Sequence, residues 1–487
     1  MFDIFKNKSN GLHTNWIVFI FILLTFIIRL SVFYSTVLFS FSDYGAYLSM
    51  SEKIRSGDKV FLQSGNFFFT ISYLGYFAKY ILGSLDYFFL FNCLCGSIIG
   101  FLMFYILKKV FHSTLAGIIS IILYIFYTEF MVFSSVFYTP ILMIFLLSVF
   151  VMFLSFYYRF AKPIPLVLSL VGLVLIFLLT FFFKPELLYF PIFLIVFSFF
   201  FVRKDKVFMF RSLALAFILL GSYFLFNSLK IISRPEKNVI SNDFIFFGHT
   251  NYGGDGGEGS FVYPENKVRY EKALAVWCEK NNITQPDVTD RNKFQLKEIF
   301  KFVKTSPFAW IKLQFTKFFR TFGVVPETTS FMILYTGLTK GNLWLTSIIV
   351  VAPVALIILL FVSFFNISAL KKLFISEDKR LQDSVNKHFL YVYFLLFFYY
   401  IIATVFFGQY SERYRLPVMV VFIIPLLGYF IASFDRKQFF NRGALTIKGV
   451  VIVLFITIWL FQANKAISNK ERLKNAIESV KGVHGID

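Results

Sequence analysis

Charge is scarce in this 487-residue chain: Asp, Glu, Lys and Arg make up 15% of it, with 27 acidic residues against 48 basic ones. A water-soluble shell needs far more, which excludes a soluble globular protein. Cysteine is scarce as well. Cys93 and Cys95 stand two positions apart inside an apolar run, and Cys278 stands alone in a polar region. That pattern indicates neither a disulfide framework nor a zinc site, and the three read as inert. No internal repeat is evident, which argues against an inverted-repeat transporter plan. No small-residue cleavage site follows the first apolar run, so it reads as an uncleaved span and not as a signal peptide.

Apolar and aromatic residues fill the space that charge leaves. The chain is 58% hydrophobic and 21% aromatic, and Phe alone contributes 73 residues. Apolar runs lie near 15–38, 86–107, 113–128, 134–158, 163–183, 187–202, 212–229, 343–366, 388–407, 416–434 and 446–463. Runs of this length are the signature of membrane-spanning helices. Segment 67–82 is either a further span or an interfacial helix. The expected fold is an all-α polytopic membrane protein with about 11–13 transmembrane helices and a mainly α external domain.

The net charge of +21 is distributed, not pooled. With the N-terminus in the cytoplasm, every cytoplasmic segment is basic, among them Lys108–Lys109, Arg203–Lys204, Lys371–Lys372 and Arg436–Lys437. This obeys the positive-inside rule, so the surplus signals topology and attraction to anionic lipid, and no nucleic-acid partner is implied. The chain is expected in the inner (plasma) membrane as a multi-pass protein with its site on the periplasmic or extracellular side. Four parts follow: an N-terminal transmembrane module, 1–229, with a first external loop at 40–66; an external soluble insert, 230–341, amphipathic across 290–322; a C-terminal transmembrane module, 342–463; and an external charged tail, 464–487.

Asp43 sits just beyond the first span, in FSDYGAYLSMSEKIRSGD. A carboxylate wetted on one side and shielded by the bilayer on the other suits general-base work. Its bland alternative is an ordinary helix N-cap, with Ser42 or Asp43 preceding a helical stretch. Arg29 lies inside the first span, where an ionisable residue is a functional candidate or a side chain that snorkels or pairs with another helix. Lys79 is placed to reach the external face from segment 67–82. The glycine-rich HTNYGGDGGEG, at 249–259, lets backbone approach a ligand closely or forms a plain turn. Asn282-Ile-Thr284 fits a glycosylation sequon, a frequent chance match.

Read in order, these features resemble the GT-C glycosyltransferases, a superfamily that includes protein O-mannosyltransferases and the lipid A aminoarabinose transferase. Asp43, Tyr47, Glu52 and Gly57 match its first external loop, KPELL at 184–188 its basic-Pro segment, and FFGHTNYGGDGGEG at 246–259 its glycine-rich stretch. SERYRLP at 411–417 resembles its Arg-Tyr-Arg-x-Pro signature. One departure stands out. Where many members carry a second acid before a Pro, this chain reads FSSVFYTP, with Tyr138 and Thr139, and Glu129 lies earlier in the same turn.

The resemblance implies transfer of a sugar from a polyprenyl-phosphate donor to a glycan, lipid or protein acceptor outside the membrane, by inverting displacement. Asp43 is then the base and Glu129 a second catalytic carboxylate. Tyr47 and Lys79 contact substrate, His249, Asn251 and Asp255 of the glycine-rich stretch supply polar contacts to the sugar, and Lys184, Arg413 and Arg415 hold the departing phosphate; an Arg fork grips phosphate bidentately. No cofactor is certain, and a divalent metal ion is left open by the missing second acid. Three rivals remain: a polyprenyl-linked glycan ligase or polymerase, a lipid or solute transporter, and a non-catalytic scaffold, the last of which would not explain charges gathered at one face.

Overall fold

A backbone inside lipid must satisfy its polar groups within its own segment, so each apolar run is expected to coil. The computed structural model describes residues 11–35, 43–57, 69–135, 137, 139–160, 162–183, 187–201, 205–228, 243–253, 264–322, 343–375, 384–406, 414–434 and 442–468. All regular structure among them is helical. The first half comprises α1 (Gly11–Ser35), α2 (Asp43–Arg55), α3 (Phe69–Tyr76, prolonged by a π-helical turn, Phe77–Ile81), α4 (Asp86–Lys109) and α5 (Thr114–Phe126). It continues through α6 (Thr128–Val132), α7 (Pro140–Arg159), α8 (Pro163–Phe183), α9 (Phe190–Phe201) and α10 (Lys206–Ser228). The insert supplies α11 (Asp243–His249), α12 (Pro264–Lys280), α13 (Val288–Thr305) and α14 (Pro307–Phe322). Last come α15 (Leu343–Phe364), α16 (Ile367–Ile375), α17 (Ser384–Phe406), α18 (Arg415–Ala432) and α19 (Arg442–Ser468).

Among the described residues six helices are long and apolar enough to cross a membrane: α1, α4, α7, α8, α10 and α18. Shorter apolar stretches of 10–17 residues occupy α5, α9, α15, α17 and α19. The chain is an all-α membrane protein. Segment α3 with its π turn extends only about 20 Å, short of a bilayer core, which favours the interfacial alternative. Helix α19 runs on to Ser468, past residue 463 where the tail was expected to begin.

Local chemistry sets the helix starts. Ser113 accepts from the Ala116 N–H at 3.1 Å, and Asp205 Oδ1 accepts from Phe208 N–H at 3.0 Å. Pro140 opens α7, where a missing N–H costs nothing. Inside α18, Pro425 cannot donate to the carbonyl of Val421, and that carbonyl accepts the Tyr393 hydroxyl at 2.7 Å instead. The same helix is π-wound over Val418–Ile423.

Helices α5 and α18 run antiparallel in close contact. A Cβ on Gly428 would lie 2.1 Å from Ser120 Oγ and 2.7 Å from the Ala116 carbonyl, so only glycine lets the backbones meet there. Gly428 thus sits by the start of α5, next to the Lys108–Lys109 end of α4, and Arg415 sits at the far end of α5. That far end also holds Phe33 stacked on Phe89 at 5.1 Å and Phe137 edge-on to Phe88 at 4.6 Å. At the lysine-rich end, His388 Nε2 lies 2.7 Å from Asp205 Oδ2 and its ring stacks on Phe208. Burial pushes the Asp205 carboxyl up, but the Phe208 N–H and His388 outweigh it and hold it below the usual range.

The insert has a small core of its own, in which Phe246, Phe247, Tyr270, Leu274, Cys278 and Phe294 pack together. Cys278 is therefore a packing residue, and all three cysteines are free and buried. Helix α14 carries the chain from this core back to the bundle, where Phe322 joins the main apolar cluster.

Candidate functional site

A tight turn between α5 and α6 places Tyr127 and Glu129 at the bundle end away from the lysines. Glu129 is fully buried, and Arg415 is only 3% exposed. Arg415 Nη2 donates to Glu129 Oε1 at 2.8 Å and Nε donates to Oε2 at 3.0 Å, a forked ion pair. The Tyr127 hydroxyl donates to Oε2 at 2.7 Å. Arg415 Nη1 donates to the carbonyl of Thr321, at the end of α14, at 3.2 Å. One guanidinium therefore ties α6, α18 and the last turn of α14 together.

A second buried arginine clamps the same segment from the other side. Arg29 Nη2 donates to the Tyr124 hydroxyl at 2.8 Å, which in turn donates a hydrogen bond to the Gly96 carbonyl at 2.6 Å. Arg29 Nη1 bonds Ser134 Oγ and lies 3.5 Å from the Phe130 carbonyl, and the guanidinium covers the Tyr124 and Phe130 rings. Of the two fates open to Arg29, pairing with other helices is the one found; it does not snorkel. A Cβ on Gly96 would fall 2.7 Å from the Arg29 Cζ, so the glycine makes room for the charge.

The first loop contributes α2, which begins at Asp43. Tyr47 is buried edge-on to Phe137 at 6.0 Å. Ser51 Oγ sits 2.9 Å from the Tyr47 carbonyl and 2.8 Å from that of Ser72, sharing one proton and seating α2 on α3. Lys79, in the π turn, lies 3.5 Å from Glu52 in a half-exposed pair of small energetic weight. Lys184, Arg413, Tyr138 and Asp255 lie outside the described residues.

Asp43, Tyr47, Lys79, Glu129 and Arg415 thus come to one end of the bundle. His249 and Asn251 do not join Glu129 directly. Trp310 Nε1 donates to His249 Nδ1 at 3.2 Å, which fixes that nitrogen as an acceptor, and the two rings stack. Trp310 and Thr321 are about 16 Å apart along α14. Asn251 is exposed, and its carbonyl is taken by Arg269, which also covers the Tyr252 ring.

Two of the candidate residues already have protein partners in this geometry. Arg415 is not a bare cation awaiting phosphate, because Nε, Nη1 and Nη2 all donate to protein oxygens. Glu129 does not suit a divalent metal, because a guanidinium and a phenol already hold its oxygens. Among the described residues no three His, Cys, Asp or Glu side chains gather as a metal site.

Lys317 was missed. It sits in the amphipathic stretch 290–322 and is 1% exposed. Burial pulls its ammonium down to about 7, against an ordinary 10.5. The unfolded chain keeps the ordinary value, so the cost of a dry ammonium is full below pH 7 and fades as pH rises toward 10.5. The stability gained by Lys317→Met over the unsubstituted protein is expected to be largest below pH 7 and to shrink as pH rises toward 10.5. Unfolding of the detergent-solubilised protein across that window checks this. A gain independent of pH would mean the ammonium is not dry.

No protein-family model matches the sequence, and no curated protein sequence matches it.

Proposed function

We propose that this chain is a GT-C-type glycosyltransferase, taking a sugar from a polyprenyl-phosphate carrier and passing it to an acceptor on the non-cytoplasmic face. One observation supports this above others: the candidate residues Asp43, Tyr47, Lys79, Glu129 and Arg415, drawn from four separate elements, share the bundle end remote from Lys108–Lys109. By the positive-inside rule that end is external. Nucleotide sugars stay in the cytoplasm, whereas a lipid-linked sugar is deliverable there.

Asp43 takes the proton of the acceptor hydroxyl as its oxygen attacks the anomeric carbon. The bond from that carbon to the phosphate oxygen breaks, and polyprenyl phosphate leaves with the electron pair. One displacement inverts the centre. Lys184 and Arg413 neutralise the charge that develops on the leaving phosphate. The Glu129–Arg415 pair acts as a brace that fixes the start of α18, two residues after Arg413.

The reading is tested with the purified protein reconstituted in vesicles and supplied with polyprenyl-phosphate sugars. The expected result is acceptor-dependent release of polyprenyl phosphate. Movement of the lipid across the bilayer with no release would identify a transporter instead.

A further inference from the structure

Helix α14 is amphipathic the wrong way round for a soluble insert. Its buried side includes Gln314, Lys317 and Thr321, spaced three and four residues apart, and the Thr321 carbonyl accepts from Arg415. Its outward side is apolar: Phe308 is 85% exposed, Ile311 43% and Phe315 61%. A stripe of that kind facing water would be costly, and it is too regular to be scattered surface apolarity.

Three observations say what covers it. First, the stripe leads into a lipid-facing surface. Phe319, one turn beyond Phe315, packs on Phe455 of α19 at 6.2 Å, and α19 turns Val450, Val453, Leu454 and Leu460 outward. Second, the preceding helix adds to it, with Leu296 and Phe300 of α13 exposed at 46% and 71%. Third, lysines flank the apolar residues. Lys293 and Lys301 lie near Asp290 and Glu298, while Lys297, Lys304 and Lys312 are exposed with no carboxylate partner among the described residues. Apolar residues flanked by unpaired cations match a leaflet surface with phosphate headgroups above acyl chains.

We propose that the α13–α14 hairpin is seated in the membrane, with Phe300, Phe308, Ile311 and Phe315 in the headgroup–acyl boundary of an anionic leaflet and Lys297, Lys304 and Lys312 on its phosphates. The seat lies about 5–10 Å into the boundary. Lipid then holds α14 from outside while its inner face meets Arg415. This assignment stands whatever reaction the site performs.

The test uses the full chain in phosphatidylcholine–phosphatidylglycerol vesicles, with the native buried cysteines kept and the unsubstituted protein as labelling blank. Phe308→Cys, Phe315→Cys and, as control, Val276→Cys on α12 each carry an environment-sensitive fluorophore. Labels at 308 and 315 are expected to lose most of their emission to acyl-brominated lipid and to escape aqueous iodide, with the label at 276 behaving oppositely. Lys297→Glu with Lys304→Glu and Lys312→Glu should weaken the bromolipid quenching at 308. Iodide quenching at 308 and 315 equal to that at 276 would put the stripe in water. Protection from both quenchers would put a protein there, a second copy included. Either result overturns the seat.

Discussion

Asp43→Asn is expected to cut sugar transfer by about 10²–10⁴-fold, the usual worth of a positioned general base, with donor binding nearly unchanged. The amide keeps the size and much of the hydrogen-bonding capacity of the carboxylate but takes no proton near neutral pH. A purely structural role would give a different result. Asp43 is the first residue of α2, where a carboxylate gains from the helix dipole. That gain is about 0.3–1 kcal/mol, and Asn serves well at helix starts. A stability loss of that size with full turnover would leave Asp43 as a helix-start residue. Asp43→Glu separates the cases further, since the charge survives while its position shifts: a base recovers little of its rate, and a dipole partner recovers all of its stability. Turnover is read as polyprenyl phosphate released per enzyme, beside the unfolding midpoint of each variant.

The apolar runs made the helices legible, because twenty apolar residues in lipid have few other conformations. Each of the runs from 15–38 through 446–463 holds a helix, with boundaries shifted by a few residues. Contacts between distant elements were not legible. Glu129 and Arg415 are 286 positions apart, and nothing in either local sequence announces the other. Each was read by itself as a candidate for chemistry, Glu129 as a carboxylate and Arg415 as a phosphate holder, and each turned out to be the other's partner. Helix α14 failed in another way. Its periodicity showed two faces, but periodicity gives the stripe and not its direction. In a membrane protein the apolar face is free to point outward, and here Lys317 and Gln314 are buried. Arg29 shows the same limit. Its place inside α1 marked it, while its partners Tyr124 and Ser134 lie about a hundred residues away.

The Glu129–Arg415 pair carries the second large expectation. Arg415→Ala should destabilise the protein by about 3–5 kcal/mol, since it strands a fully buried carboxylate with only the Tyr127 hydroxyl to stabilise it. A phosphate-holding arginine at the surface would give a different signature, lost donor affinity with an unchanged unfolding midpoint. Glu129→Gln removes the opposite charge and leaves a buried guanidinium, so a loss of similar size is expected. The double variant, Glu129→Leu with Arg415→Met, decides what the pair is for. Replacing a buried ion pair by apolar groups of similar volume is often neutral or stabilising by about 1–4 kcal/mol. The double variant should therefore fold better than either single one, with a coupling energy well above the few tenths expected of independent sites. If its turnover also returns, the pair is a brace, and the chemistry belongs to Asp43 and to Lys184 and Arg413. If it folds well but transfers no sugar, the charges themselves act on substrate, and Arg415 must exchange Glu129 for phosphate during the reaction. Single variants as stable as the unsubstituted protein would contradict both outcomes, because a buried charge cannot lose its counter-ion without cost.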